Sequence, residues 1–169
     1  MSPKELAATT MRVVLSELAE VRGRLQDLAA EIASESSVAG AAPSRPTLAL
    51  LAVDLHSYYT LLEGLIQRLV LALEGDAPRG PASHVALARH AMRPVEGVRP
   101  ALVAPERAAS MDELRRFRHF FRHGYALDLR YDRMRGALDV FADLHAGLLA
   151  DLDRLEAFLR DLIAEIEEA

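Results

Sequence analysis

The stretch LAVDLHSYYTLLEGLIQRLVLALEG, residues 51–75, decides the fold class because its apolar side chains recur at alternating intervals of four and three residues. This spacing lines them up along one stripe of an α-helix and is typical of helices packed side by side. We predict a helix that begins near Pro46 and ends before Gly75, where glycine can supply a left-handed cap. The recurring positions are Leu51, Leu55, Tyr58, Leu62, Leu65, Leu69 and Leu73.

Two further long segments repeat this pattern. The first helix is predicted from about Pro3 to Ser34, after a capping box in which Ser2 and Glu5 exchange hydrogen bonds. Its seam comprises Met11, Val14, Leu18, Val21, Leu25, Leu28 and Ile32. The last helix is predicted from about Tyr131 to Ala164 or beyond. Its seam comprises Leu138, Phe141, His145, Leu148, Leu152, Leu155, Leu159, Leu162 and Ile166.

Two more helices fill the middle of the chain. A short one is predicted from Ser83 to about Met92, and a fourth main helix from about Pro105 to His123. No segment alternates apolar and polar residues with the β-branched enrichment of a strand. The sequence therefore predicts an all-α, up-and-down bundle of four main helices plus one short helix, a single domain over residues 1–169.

Composition narrows the function classes. The chain has 169 residues, of which 51% are hydrophobic and 27% charged, so it can bury a core. It has no cysteine, which excludes disulfides and zinc–thiolate sites. No apolar run reaches the roughly 20 residues of a membrane span, so we expect a cytoplasmic protein. The net charge of −5 argues against a surface that coats nucleic acid, although a local basic site remains compatible with it.

One such site is the segment RFRHFFRHGY, residues 116–125. A helical wheel groups Leu114, Phe117, Phe120, Phe121 and Tyr125 on one side. The cationic and imidazole side chains are expected on the other: Arg115, Arg116, Arg118, His119, Arg122 and His123. The simplest interpretation is an amphipathic helix with a solvated cationic face. The alternative is that the arginines grip a phosphate and lower the pKa of the histidines, because the cluster contains no acid.

Geometry limits the second interpretation. Arg118 and His123 are five residues apart, roughly 140° around a helix. The two side chains converge only if the helix unwinds at Gly124 or if two copies of the helix meet across a two-fold axis.

Three segments together carry a family resemblance. Arg118, His123 and Tyr125 form the pattern R-x4-H-x-Y. The second helix contains HSYYTLLEGLIQRL, and ELRRFRHFFRHGYALDLRYDRM joins the fourth helix to the last. In an all-α chain of this size, these segments resemble the HEPN superfamily and, within it, the HepT-like ribonuclease toxins.

The resemblance implies a function and a set of roles. It implies a homodimer whose shared cleft cleaves RNA without a metal ion or other cofactor, using the RNA 2′-OH as nucleophile. His123 would be the general acid and base, and Arg118 would hold the scissile phosphate. We assign His119 and Arg122 supporting roles. Tyr125 matches the tyrosine to which a nucleotidyltransferase antitoxin transfers AMP.

The remaining histidines, Tyr59 and Glu63 receive mainly structural interpretations. His56, Tyr59 and Glu63 share one face of the second helix and form either a polar wall of the cleft or, as we favour, a flank with a packed tyrosine and a solvated glutamate. His145 is expected to be buried and hydrogen-bonded. His84 and His90 lack a carboxylate at ligand spacing, so we expect no metal site. Two other functions stay open: a non-catalytic HEPN-type module that binds nucleotide or a partner nucleotidyltransferase, and a plain helical scaffold.

Overall fold

The computed structural model describes residues 2–39, 43–80, 83–123 and 129–168, with the side chains of residues 38, 39 and 123 left out. Within these ranges the chain forms five α-helices and no strand, which confirms the predicted all-α bundle. A 3₁₀ turn, Pro105–Arg107, leads directly into the fourth helix. The helices are α1 (Pro3–Ala39), α2 (Arg45–Glu74), α3 (Ser83–Ala91), α4 (Ala108–His123) and α5 (Tyr131–Glu168).

Helix ends follow the sequence signals. The Glu5 N–H donates to Ser2 Oγ at 3.2 Å and the Ser2 N–H donates to the Glu5 carboxylate at 2.6 Å, which is the predicted capping box. Ser44 Oγ accepts from the Thr47 N–H at the start of α2. Gly75 ends α2 with a φ of 81°, in the left-handed region that glycine tolerates. Helix α1 runs on to Ala39, past the predicted end at Ser34.

The core forms where the predicted seams face one another. Helix α1 packs against α2 and α5, and α4 packs against the same two helices from another side. The seam of α2 is buried from Leu51 to Leu69. His145 is half-buried, and its Nδ1 lies 2.8 Å from the Tyr58 hydroxyl, so its predicted hydrogen bond is confirmed while full burial is not. No helix in the described ranges combines the length and apolar character needed to cross a bilayer.

A buried carboxylate fixes the start of α4 against α5. Asp151 is fully buried although it lies on a helix between two seam leucines. Its oxygens accept from the Ala104 N–H at 3.0 Å and from Arg107 Nε at 2.8 Å, and Arg154 approaches within 2.8 Å. The hydrogen bond to Asp151 raises the pKa of Arg107. The start of α4, which carries the R-x4-H segment, is therefore set by charge pairing with α5.

Gly147 makes this contact possible, and we predict that Gly147→Ala destabilises the protein. A Cβ at this position would overlap the Arg107 guanidinium, which crosses α5 there on its way to Asp151. Alanine gains about 1 kcal/mol of helix propensity over glycine, so loss of stability would mean that displacing Arg107 outweighs this gain. Thermal unfolding followed by circular dichroism measures the change.

Gly23→Ala is the matched control. Gly23 also lies inside a long helix, but nothing lies within 4 Å of a Cβ placed there. It should raise stability by about 0.5–1 kcal/mol. If both alanine variants are stabilised equally, Arg107 moves aside without cost, and its position over Gly147 does not contribute to stability.

Candidate functional site

The arginine of the R-x4-H segment is buried against α2. Arg118 is 9% exposed, and its Nη2 lies 3.1 Å from Glu63 Oε2. Its Nε donates to Thr60 Oγ1 at 3.3 Å, and its guanidinium carbon lies 5.8 Å from the ring centroid of Tyr59. Tyr59, Thr60 and Glu63, which lie within little more than one turn of α2, therefore fix the position of this α4 side chain.

This burial corrects the wheel assignment, which put Arg118 on a solvated cationic face. Arg118 follows Leu114 by four residues and precedes Phe121 by three, so it lies on the same helical stripe as these apolar side chains. Leu114 and Phe117 are buried beside it. The guanidinium can lie there because Glu63 supplies the opposite charge across the helix interface.

Glu63 is the centre of the site, and the favoured interpretation of a solvated glutamate is wrong. Its exposure is only 9%. While one oxygen pairs with Arg118, the other lies 2.8 Å from His84 Nδ1 on α3. The carboxylate thus joins three helices, and Tyr59, buried beside it, has its phenol pKa raised mainly by burial.

Two acidic residues of α4, about one turn before the cationic cluster, pair with its first two arginines. Arg115 pairs with Asp112 at 2.6 Å, and Arg116 pairs with Asp112 at 2.7 Å and with Glu113 at 3.0 Å. The cluster itself contains no acid, but these two arginines have carboxylate partners just before it, so the repulsion expected among the cations does not apply to them. They belong to an ordinary surface network on α4.

His56 brings an imidazole close to the arginines of α4. Its ring centroid lies 4.9 Å from that of Phe121, and its Nδ1 is buried without a hydrogen-bond partner among the described residues. Burial lowers the pKa of His56, and the charges of Arg118 and Arg122 lower it further. At neutral pH the ring is therefore uncharged and able to accept a proton.

The other predicted site residues are only partly described. His119 and Arg122 are exposed on α4. His123 is the last residue of α4, but its side chain lies outside the description, and Tyr125 lies outside the described residues altogether. The predicted convergence of Arg118 and His123 thus remains a prediction.

The two histidines of α3 have carboxylate partners on another helix. His84 pairs with Glu63 and His90 pairs with Glu74 at 2.7 Å. Both acids come from α2, which spacing along α3 alone could not indicate. No group of three or more metal-ligating side chains occurs in the part of the chain that the structure describes.

A cleft of about 460 Å³ opens between α1 and α2 next to this site. Thr60, which accepts the hydrogen bond from Arg118, lies in its wall. The volume falls within the range of small-molecule sites. The lining residues are Arg24, Asp27, Leu28, Glu31, His56, Ser57, Thr60 and Leu61.

The all-α bundle of the described residues is consistent with a HEPN-like fold. A family model described as "HepT-like protein" matches residues 50–161, from α2 into α5. Because this match covers most of the chain, the protein belongs to the HepT-like family. No curated protein gives a significant match, and no solved structure does either.

Proposed function

We propose that this chain is a HepT-like toxin that cleaves RNA in the cytoplasm without a metal ion. The observation that carries the proposal is that Arg118, five residues before His123, lies within the family-matched region and is held in place by α2. A fixed arginine is suited to a reaction in which charge develops on a phosphate. Dimerisation would supply a second copy of the pair.

The chemistry follows from these two side chains. The ribose 2′-oxygen attacks the adjacent phosphorus, and an uncharged His123 takes its proton. The bond from phosphorus to the 5′-oxygen breaks, and an imidazolium returns a proton to that oxygen. The products are a 2′,3′-cyclic phosphate and a 5′-hydroxyl. Arg118 donates to the non-bridging oxygens as their charge develops, with His119 and Arg122 supporting phosphate contact.

Contact with Glu63 still leaves Arg118 able to bind phosphate. A guanidinium has five N–H donors, and the described contacts engage Nε and Nη2. The Glu63 carboxylate fixes the orientation of the Arg118 guanidinium before RNA binds. A charged group that is already oriented lowers the reaction barrier because it does not have to reorganise during the reaction.

Control of the toxin is proposed to fall on Tyr125. A nucleotidyltransferase antitoxin would transfer AMP to its phenol, only two residues after His123. The added phosphodiester carries negative charge and bulk, so it would repel and block an RNA backbone at the same cleft.

His123→Ala is expected to reduce RNA cleavage by about 10²-fold or more, since general acid–base catalysis contributes that much. Cleavage of a fluorescent RNA by the wild-type protein should be unchanged by EDTA and should leave cyclic phosphate ends. Arg133→Ala, which removes an exposed arginine of α5, is the control and should retain activity. Equal cleavage by wild type and His123→Ala would remove the catalytic assignment.

The second candidate is a non-catalytic HEPN-type module that binds nucleotide or a partner nucleotidyltransferase. The completed ion pair between Arg118 and Glu63 favours it, because the buried arginine already has a counter-charge without RNA. This candidate predicts binding of the RNA or nucleotide with no cleavage, and growth of expressing cells that does not depend on His123.

A further inference from the structure

Helix α2 has a second stripe that faces away from the core. Its positions also alternate by three and four residues and are Leu50, Val53, Ser57, Thr60, Gly64, Gln67 and Leu71. Leu50 is 53% exposed, and Val53 and Leu71 are each 48% exposed. Covering three large apolar side chains exposed along one helical line with another surface lowers the free energy, because apolar area is removed from water.

The stripe is nearly self-complementary about Thr60. Leu50 lies ten residues before Thr60 and Leu71 eleven after it, while Ser57 and Gly64 lie three before and four after. A second α2 running antiparallel across this stripe would place Leu50 on the partner's Leu71. Near the middle, the small residues Ser57 and Gly64 let two backbones approach closely. A two-fold axis requires this kind of isologous pairing.

Charge along the same helix is complementary too. Asp54 lies near one end, where burial and the neighbouring acid Glu31 raise its pKa. Burial and the charges of Asp54 and Glu31 also raise the pKa of Glu35. Arg68, 45% exposed and paired with Glu17, lies eight residues after Thr60. The register that pairs Leu50 with Leu71 sets it opposite the partner's Val53, next to Asp54. In the antiparallel arrangement the partner's Arg68 approaches this acidic end, where a cation relieves the mutual repulsion of the carboxylates.

We propose that a second copy of this chain docks on the outward stripe of α2, with the two-fold axis passing beside Thr60. The inference deepens the proposed function by naming the surface that builds the dimeric site. Because Thr60 accepts from Arg118, docking brings the arginines of both copies next to the axis. Each is already neutralised by its own Glu63, so the two can approach without strong repulsion. The cleft between α1 and α2 of each copy, whose wall includes Ser57 and Thr60, then borders the interface.

Site-specific cross-linking tests the axis directly, since the chain has no cysteine of its own. Thr60→Cys should be converted largely to a species of twice the chain mass by a short bismaleimide that joins only adjacent thiols. Ala142→Cys, on an exposed position of α5, is the control and should stay at the single-chain mass. Failure of Thr60→Cys to cross-link at concentrations where the protein is dimeric would overturn the proposal.

Paired charges test the register. Leu50→Glu and Leu71→Lys should each weaken the dimer by about tenfold or more in Kd, because each places a charge against an apolar partner residue. The double variant should restore it, since each introduced glutamate then meets an introduced lysine of the partner. Val98→Glu alters another exposed apolar residue, outside the helices, and should leave the mass unchanged. A dimer that tolerates both single variants uses another face, and a protein that stays monomeric contradicts the proposal outright.

These measurements do not depend on RNA cleavage. Cross-linking through Thr60→Cys without any cleavage by the wild type supports the interface and removes the proposed function. RNA cleavage by a dimer that does not cross-link through Thr60→Cys supports the proposed function and overturns the proposed interface.

Discussion

Arg118→Ala is expected to lower the free energy of unfolding by about 3–5 kcal/mol, far more than a typical loss at a helix end. The substitution leaves the Glu63 carboxylate buried without its main counter-charge; of its ion-pair partners among the described residues, the half-exposed His84 remains. It also removes the contacts with Thr60 and Tyr59. Urea unfolding followed by circular dichroism gives the change directly.

Two variants separate burial from charge. Arg116→Ala also removes an arginine of α4, but its acidic partners are more exposed, so the loss should stay below about 1 kcal/mol. Glu63→Gln in the Arg118→Ala background should recover part of the lost stability, because no buried charge then remains. If Arg116→Ala and Arg118→Ala cost the same, the site is not a buried pair. The stability loss also means that an activity assay of Arg118→Ala needs proof of folding.

Asp151→Ala is the second large effect, with an expected loss of about 3–5 kcal/mol. The variant leaves the Ala104 N–H without its acceptor and the guanidinium of Arg107 without its buried counter-charge. Because these groups precede α4, the loop between α3 and α4 should loosen together with the start of α4. Hydrogen exchange at residues 102–112, measured with the unfolding free energy, reports both.

Asp153→Ala provides the comparison for Asp151. Asp153 lies two residues along the same helix, pairs with Arg22 at 2.6 Å and is 57% exposed. Its loss should be less than about 1 kcal/mol. Equal losses at the two positions would mean that the buried carboxylate carries no more weight than a surface one.

The helices could be predicted from the sequence because their apolar spacing and end signals are local. The alternation in α2, the capping box at Ser2 and the glycine at position 75 each depend on residues a few positions apart. The end of α1 was predicted too early, because the polar residues after Ser34 remain compatible with a helix that projects past its packing partners.

The site was less predictable, for two different reasons. The burial of Arg118 and of Asp151 could in principle have been predicted from the sequence, since each occupies a position that continues an apolar stripe. The partners were not readable, because Glu63 lies 55 residues from Arg118 and 21 from His84 and nothing local links them. The roles of His123 and Tyr125 rest on the family resemblance, since their side chains lie outside the described residues.

The link that Glu63 makes among three helices has a consequence for how such a sequence can diverge. Substituting Glu63 alone leaves a buried guanidinium without a counter-charge, and substituting Arg118 alone leaves a buried carboxylate without one. Either single substitution therefore gives a less stable protein. Drift at positions 63 and 118 is therefore coupled. A related sequence would be expected to keep both residues, or to exchange them nearly together for apolar ones.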